Sequence, residues 1–213
     1  MNNAWQPLLA NIAIITILIS LRSHFCDGLA MYGPRLRSAA FGAFCGGTGA
    51  IVMMLPFEVA PGFHFDMRSV ATVLSGFFAG PMGALIAAAI ISGTRIAIGG
   101  AGVFAGLIGT ALATSIGLSL FWFRRKRPIG FRHILQLAAL SSAAVPLGVA
   151  FMPVEIRQLV FSGPILPAIC LIFTGVFLSG SAILHDNRRY QSAKINELHA
   201  AVMQALPDCV NVR

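Results

Sequence analysis

Charge is what this sequence has least of. Only 10% of its 213 residues are Asp, Glu, Lys or Arg, and only seven are acidic, against about 25% charged in an ordinary soluble domain. That composition cannot clothe one apolar core in a water-soluble surface. Cysteine is scarce as well: Cys26, Cys45, Cys170 and Cys209 stand in separate segments without paired spacing, so no zinc site or disulfide framework is readable. The N-terminal Met1-Asn2-Asn3 lacks the basic stretch of a cleavable signal peptide, so the first apolar run is expected to remain as a helix. No membrane-embedded Ser/His pair, Asp pair or His/Glu metal constellation is present, which argues against an intramembrane enzyme. No cofactor is expected.

What the chain does have is apolar length. Apolar residues make up 57% of it, and they fall in runs at roughly 5–21, 39–57, 66–95, 97–123, 134–152 and 159–184. The fold class is therefore an all-α polytopic membrane protein with six to seven transmembrane helices. The net charge of +8 would suggest nucleic acid in a soluble protein. Here the basic residues sit between apolar runs, as in loops beside an anionic leaflet, which disfavours nucleic acid and makes membrane lipid the partner.

The run from Asp66 to Arg95 is 30 residues long, about 45 Å as one helix, too long for a hydrocarbon core of about 30 Å. Gly80-Pro81 stands at its centre, where proline interrupts a helix but suits the start of a new one. The expectation is two short helices, 66–79 and 82–95, forming a hairpin. Distribution of basic residues agrees: seven passes with the N-terminus outside put 12 Lys and Arg inside and 3 outside, against 10 and 5 for six passes. The hairpin tip carries no charge, so a re-entrant loop gives the same count.

Glu58, His64, Asp66, Arg68, Arg95, Glu155 and Arg157 then gather on the outer side. Positive charge there defies the loop bias and needs another cause. Arg68 and Arg95 flanking the hairpin offer planar forks to a carboxylate, and Gly99-Gly100 opening the next helix offers free backbone N–H groups. A structural alternative remains open, with Arg68 paired to Asp66 or Glu58, and Arg95 to Glu155. Asp66 is expected to cap the first arm and orient Arg68. Gly102, Gly106 and Gly109 extend a stripe of small residues that serves close helix packing or leaves room for a ligand beneath Arg95. Gly76, Gly80 and Gly83 are expected to let the arms approach. Arg124-Arg125-Lys126-Arg127 reads as a topogenic anchor.

Beyond Leu184 the chain turns polar, and Ile195, Leu198, Val202 and Ala205 recur at three- and four-residue steps, the pattern of a helix leaving the membrane with one apolar face. Such a helix suits a homodimeric signalling element. Leu206-Pro207 then reads as a helix stop before alternating strand residues, the threshold of a further domain.

Taken together, Pro61-Gly62, Asp66-x-Arg68, Ser75-Gly76-Phe77-Phe78-x-Gly80-Pro81-x-Gly83, Gly93-x-Arg95 and Gly99-Gly100-Ala101-Gly102 closely resemble the LytS-type (LytS-YhcK) five-transmembrane receptor domain over roughly residues 28–185. The resemblance implies a bacterial inner-membrane sensory domain with a cytoplasmic C-terminus, fused to histidine kinase, GGDEF or EAL output modules. It also implies a response to pyruvate-like metabolites or to envelope state, the former matching a small anionic ligand such as a carboxylate, with the family's functional arginines falling on Arg68 and Arg95. Relatives carry small polar side chains where this chain has Gly106 and Gly109. The expected ligand-binding set is thus Arg68, Arg95, Gly99, Gly100, Asp66, Gly102 and Gly106. Asp66 to Pro81 also resembles a helix of the substrate-binding subunits of energy-coupling-factor vitamin transporters, which implies the alternative of a solute-binding transporter subunit. Glu197-Leu198 followed by Leu206-Pro207-Asp208 resembles the start of a PAS domain. The implied division is an N-terminal helix and loop (1–27), the sensory domain (28–185), a cytoplasmic signalling helix (186–206) and a PAS-like start (207–213).

Overall fold

The computed structural model describes residues 13–17, 33–55, 57–60, 63–100, 102–124, 128–152, 154–163 and 165–210. The regular elements are α1 (Pro34–Met53), β1 (Phe57–Ala60), β2 (Phe63–Phe65), α2 (Arg68–Ile98), α3 (Val103–Phe123), α4 (Phe131–Ala143), α5 (Val145–Ala150), α6 (Val154–Ser162) and α7 (Ile165–Val210). Five helical stretches are long and apolar enough to cross a membrane: α1, α2, α3, the combined α4 and α5, and the first part of α7. The chain is an all-α, multi-pass membrane protein, its helices interrupted only by the short β1–β2 hairpin among the described residues. Of the first apolar run, only 13–17 is described, a helical piece whose Ile15 is buried in the main core.

The anticipated break lies inside α2. Gly80 leaves helical geometry at φ 70°, ψ −158°, a combination essentially confined to glycine, and Pro81 opens the second arm. A straight 31-residue helix would hold Arg68 and Arg95 about 40 Å apart. Instead a methyl group on Gly49 of α1 would lie 2.6 Å from Ile91 of the second arm and 3.8 Å from Arg68 Cβ of the first. The chain therefore folds back at Gly80. Arm one covers 68–79, two residues shorter than expected, and arm two covers 81–98, starting directly at Pro81 and running three residues past Arg95.

Contacts along the arms fix the depth of the hairpin. At its tip Ser38 Oγ, near the start of α1, donates to Ala79 O at 2.6 Å, and the Phe121 ring at the end of α3 lies where a Gly80 side chain would be. At the opposite end Met53, the last residue of α1, meets Arg68. The hairpin thus runs nearly the full length of α1 and α3.

Packing around arm one is tight. Val70, Ala71, Thr72, Val73, Leu74, Ser75 and Phe77 are completely buried, the all-round apolar helix of an interior position. In lipid, helix association depends on close van der Waals contact more than on the hydrophobic effect, so small residues mark the interfaces. Gly76 of arm one meets Gly117 of α3, Gly83 of arm two meets Gly42 of α1, and Gly175 of α7 meets Met67 and Val70. Gly76 therefore serves a neighbouring helix and not the approach of the arms; Gly83 serves both, since Ser75 Oγ would be 3.4 Å from a methyl group there. Hydroxyls of Thr48, Thr72, Thr94, Thr110 and Thr114 donate to the carbonyl one turn back, which satisfies them without water.

Two expectations need correction. The segment with Glu155 and Arg157 is helix α6, not loop. At the other end, α7 continues through Leu206-Pro207 to Val210 where a helix stop and strand residues were expected. A lone strand has no ladder partner among the described residues, whereas a helix already under way can pass a proline at the cost of a hydrogen bond and a local kink. Residues 211–213 lie outside the described residues.

Candidate functional site

The site is assembled by the ends of four helices. Arg68 is the first residue of arm one, Arg95 lies in the last turn of arm two, Met53 ends α1, and Gly106 occupies the first turn of α3. A methyl group on Gly106 would stand 2.6 Å from Arg68 Nη2 and 3.1 Å from Arg95 Nε. Both guanidinium groups therefore rest on one patch of bare α3 backbone.

Asp66 precedes arm one and holds Arg68 twice. Its Oδ1 accepts the Arg68 backbone N–H at 3.1 Å, and its Oδ2 lies 3.3 Å from Arg68 Nη1. Asp66 thus aims the side chain, as the sequence suggests, but it does not cap the helix as expected: the cap position is Met67, which makes no side-chain cap bond, and Asp66 reaches only the Arg68 N–H two residues on. Arg68 Nη1 also donates to Met53 Sδ at 3.2 Å. A thioether is a weak acceptor, so this donor is poorly used.

Arg95 is the unusual member. Only 3% of it is exposed, and its Nε has no hydrogen-bond partner. A buried donor left without an acceptor costs about 1–3 kcal/mol, more when charged. Asp66 and Arg68 form the one ion pair among the described residues, which leaves two guanidinium groups facing a single carboxylate. The structural alternative holds for Arg68 with Asp66; the side chains of Glu58 and Glu155 lie outside the described residues.

The remaining glycines divide. Gly99 (φ 73°) and Gly100 (φ 90°) make the turn from arm two into α3 in backbone conformations that favour glycine, and space beside Gly99 is open to at least 4 Å; the Gly99 N–H is not free as expected, because it closes arm two by donating to Arg95 O at 3.1 Å, and α3 is opened by Gly102. Gly102, the N-cap of α3, is buried, and its carbonyl accepts from the Gly106 N–H. Gly109 faces open space and is not brought to the arginines. Glu58 and His64 are paired across the β1–β2 ladder that leads to Asp66. Sequence reasoning missed Met53, whose only signal is its place at the end of an apolar run.

A helical bundle with a broken, inward-packed hairpin and a cationic cluster at one end defines a polytopic membrane protein. The chain belongs to the family described as 5TMR of 5TMR-LYT, which matches residues 32–187. This is the LytS-type five-transmembrane receptor domain that the glycine and arginine motifs resemble. No curated protein and no solved structure matches the chain.

Proposed function

We propose that this domain is a signal receptor of the bacterial inner membrane that binds a small extracytoplasmic anion, such as a pyruvate-like carboxylate, between Arg68 and Arg95. The observation that carries the reading is the buried, unpartnered Nε of Arg95 beside Arg68. With Asp66 as the described counter-charge, the cluster keeps one surplus positive charge, which a monoanion neutralises. Arg presents parallel donors that match a carboxylate.

Arm one supplies the route to the other side. It carries Arg68 at one end and packs through Met67, Val70 and Leu74 against Gly175 and Gly180 of α7. A ligand that binds one hairpin position better than another shifts the population toward it, and α7 carries that shift into a cytoplasmic C-terminus. There it serves output modules of the histidine kinase or cyclic-di-GMP type. Ile195 and Val202, one heptad apart and both exposed, support a homodimer through that helix. The domain itself is read as non-catalytic.

The test is thermal unfolding of the purified domain with sodium acetate, lactate and pyruvate. A ligand at one hundred times its Kd stabilises by about 2.7 kcal/mol. Stabilisation of wild type that disappears in Arg68→Ala and Arg95→Ala is the expected result; equal stabilisation of both variants contradicts it. Uptake of the same labelled anion into proteoliposomes would favour a transporter subunit.

A further inference from the structure

Arm one ends without the donors that a continuing helix provides. Gly80 departs from helical geometry and Pro81 has no N–H, so the last carbonyls of the arm need partners from elsewhere. Two of them find side chains on other helices. Ser38 Oγ donates to Ala79 O, and Arg124 Nη2 donates to Phe77 O at 2.8 Å across 47 residues of sequence.

Arg124 is also wedged in place by rings. Its guanidinium carbon lies 4.6 Å from the centre of the Phe77 ring and 5.5 Å from that of Phe121, within cation–π range. Phe121 in turn fills the space beside Gly80, 2.7 Å from where a Cβ would stand. The charge bias of the loop asks only for a cation near the membrane surface. Arg124 instead turns back into the bundle and sits at the negative end of the arm-one dipole.

We propose that Arg124 is a positioning residue that holds the free carbonyl end of arm one, sets the axial position of that helix, and thereby sets where Arg68 stands relative to Arg95. Arm one is about 18 Å of helix, buried on every face, so a displacement at Phe77 is delivered to Arg68 with little to absorb it. Arg95 belongs to arm two, which has its own close contacts with Gly42, Gly46 and Gly49 of α1, so slippage of arm one against it changes the distance between the two guanidinium groups. The inference rests on the receptor reading only for what that change conveys. Its test uses no ligand, so failure of either leaves the other standing.

The experiment is hydrogen exchange on the full chain in lipid nanodiscs, comparing wild type with Arg124→Gln, Arg124→Lys and Ser38→Ala. Two groups of amides are followed. One lies at the tip, residues 78–80; the other is Arg68 and Val70, whose N–H groups bond to Asp66 and Met67. Arg124→Gln is expected to speed exchange at least fivefold in both groups, and Arg124→Lys, which keeps a cationic donor for Phe77 O, to return both to within twofold of wild type. If exchange rises at the tip alone, or if Lys behaves as Gln does, Arg124 is a local cap and the proposal falls. Should Arg124→Gln fail to fold, Ser38→Ala removes the second donor more gently. It must then raise exchange at Arg68 and Val70 as well as at the tip, and no rise there overturns the proposal.

Discussion

Arg68 and Arg95 stand at opposite ends of a single 31-residue helical segment, yet both guanidinium groups meet over the backbone of Gly106. The meeting depends on one residue in a glycine conformation, Gly80, and on the absence of a side chain at the meeting point. Each condition makes a prediction.

Gly80→Ala places a side chain in a backbone region that costs of order 1–3 kcal/mol and drives a methyl group into the Phe121 ring, an overpacking cost of typically 1–3 kcal/mol more. Denaturant or thermal unfolding should report a loss of about 2–6 kcal/mol. Adding Phe121→Ala should recover less than the packing part, because it also opens a cavity and leaves the dihedral strain. Full recovery would show that the backbone at Gly80 is unstrained.

Gly106→Ala acts at the other end. Alanine favours the helix by up to about 1 kcal/mol, and the Arg68 tip can yield, so stability should change by less than about 1 kcal/mol. The anion site should suffer more, since Arg95 Nε would be held 3.1 Å from the new methyl group. Anion-dependent stabilisation should weaken at least tenfold in ligand concentration, about 1.4 kcal/mol. Unchanged concentration dependence would remove Gly106 from the site.

Asp66→Asn should split stability from binding. The amide oxygen can still accept the Arg68 backbone N–H, but the described carboxylate opposite the two arginines is gone. Breaking a buried pair costs 3–5 kcal/mol; because Arg68 is partly exposed, about 1–3 kcal/mol is expected here. The unliganded protein should melt lower, while acetate should bind more tightly because no internal carboxylate competes. Weaker acetate binding would mean that Asp66 positions the ligand directly.

Much of this was legible in the sequence, and for identifiable reasons. Helix length against bilayer thickness, with Pro81 at the midpoint, required a break; counting basic residues then put Arg68 and Arg95 on one side. Asp66 two residues before Arg68 signalled its role. Contacts between residues distant in sequence left no such mark. Nothing local tells Arg124 from Arg125, although Arg124 reaches Phe77 O. The stripe of Gly42, Gly46 and Gly49 on α1 becomes meaningful only when arm two lies against it. The β1–β2 hairpin is too short for its alternation to stand out among apolar neighbours, and Pro207 misled because a helix can pass through a proline at the cost of a hydrogen bond and a local kink.

Gly180→Val examines the contact between arm one and α7. Its side chain would press on Ile134, 2.9 Å from the first added carbon, and on Leu74 at 3.5 Å. A loss of about 1–3 kcal/mol in stability is expected. Acetate affinity should stay within threefold of wild type, since the arginines are remote. A collapse of affinity would mean that α7 shapes the site itself.

The most direct test places a labelled anion between the two arginines. Solid-state NMR of the domain in lipid, with 15N-labelled arginine and 13C-carboxyl pyruvate, measures dipolar contacts from the carboxylate to individual guanidinium groups. Contacts from two arginines are expected, one lost in Arg68→Lys and the other in Arg95→Lys. A bound carboxylate whose contacts survive both substitutions would contradict the account.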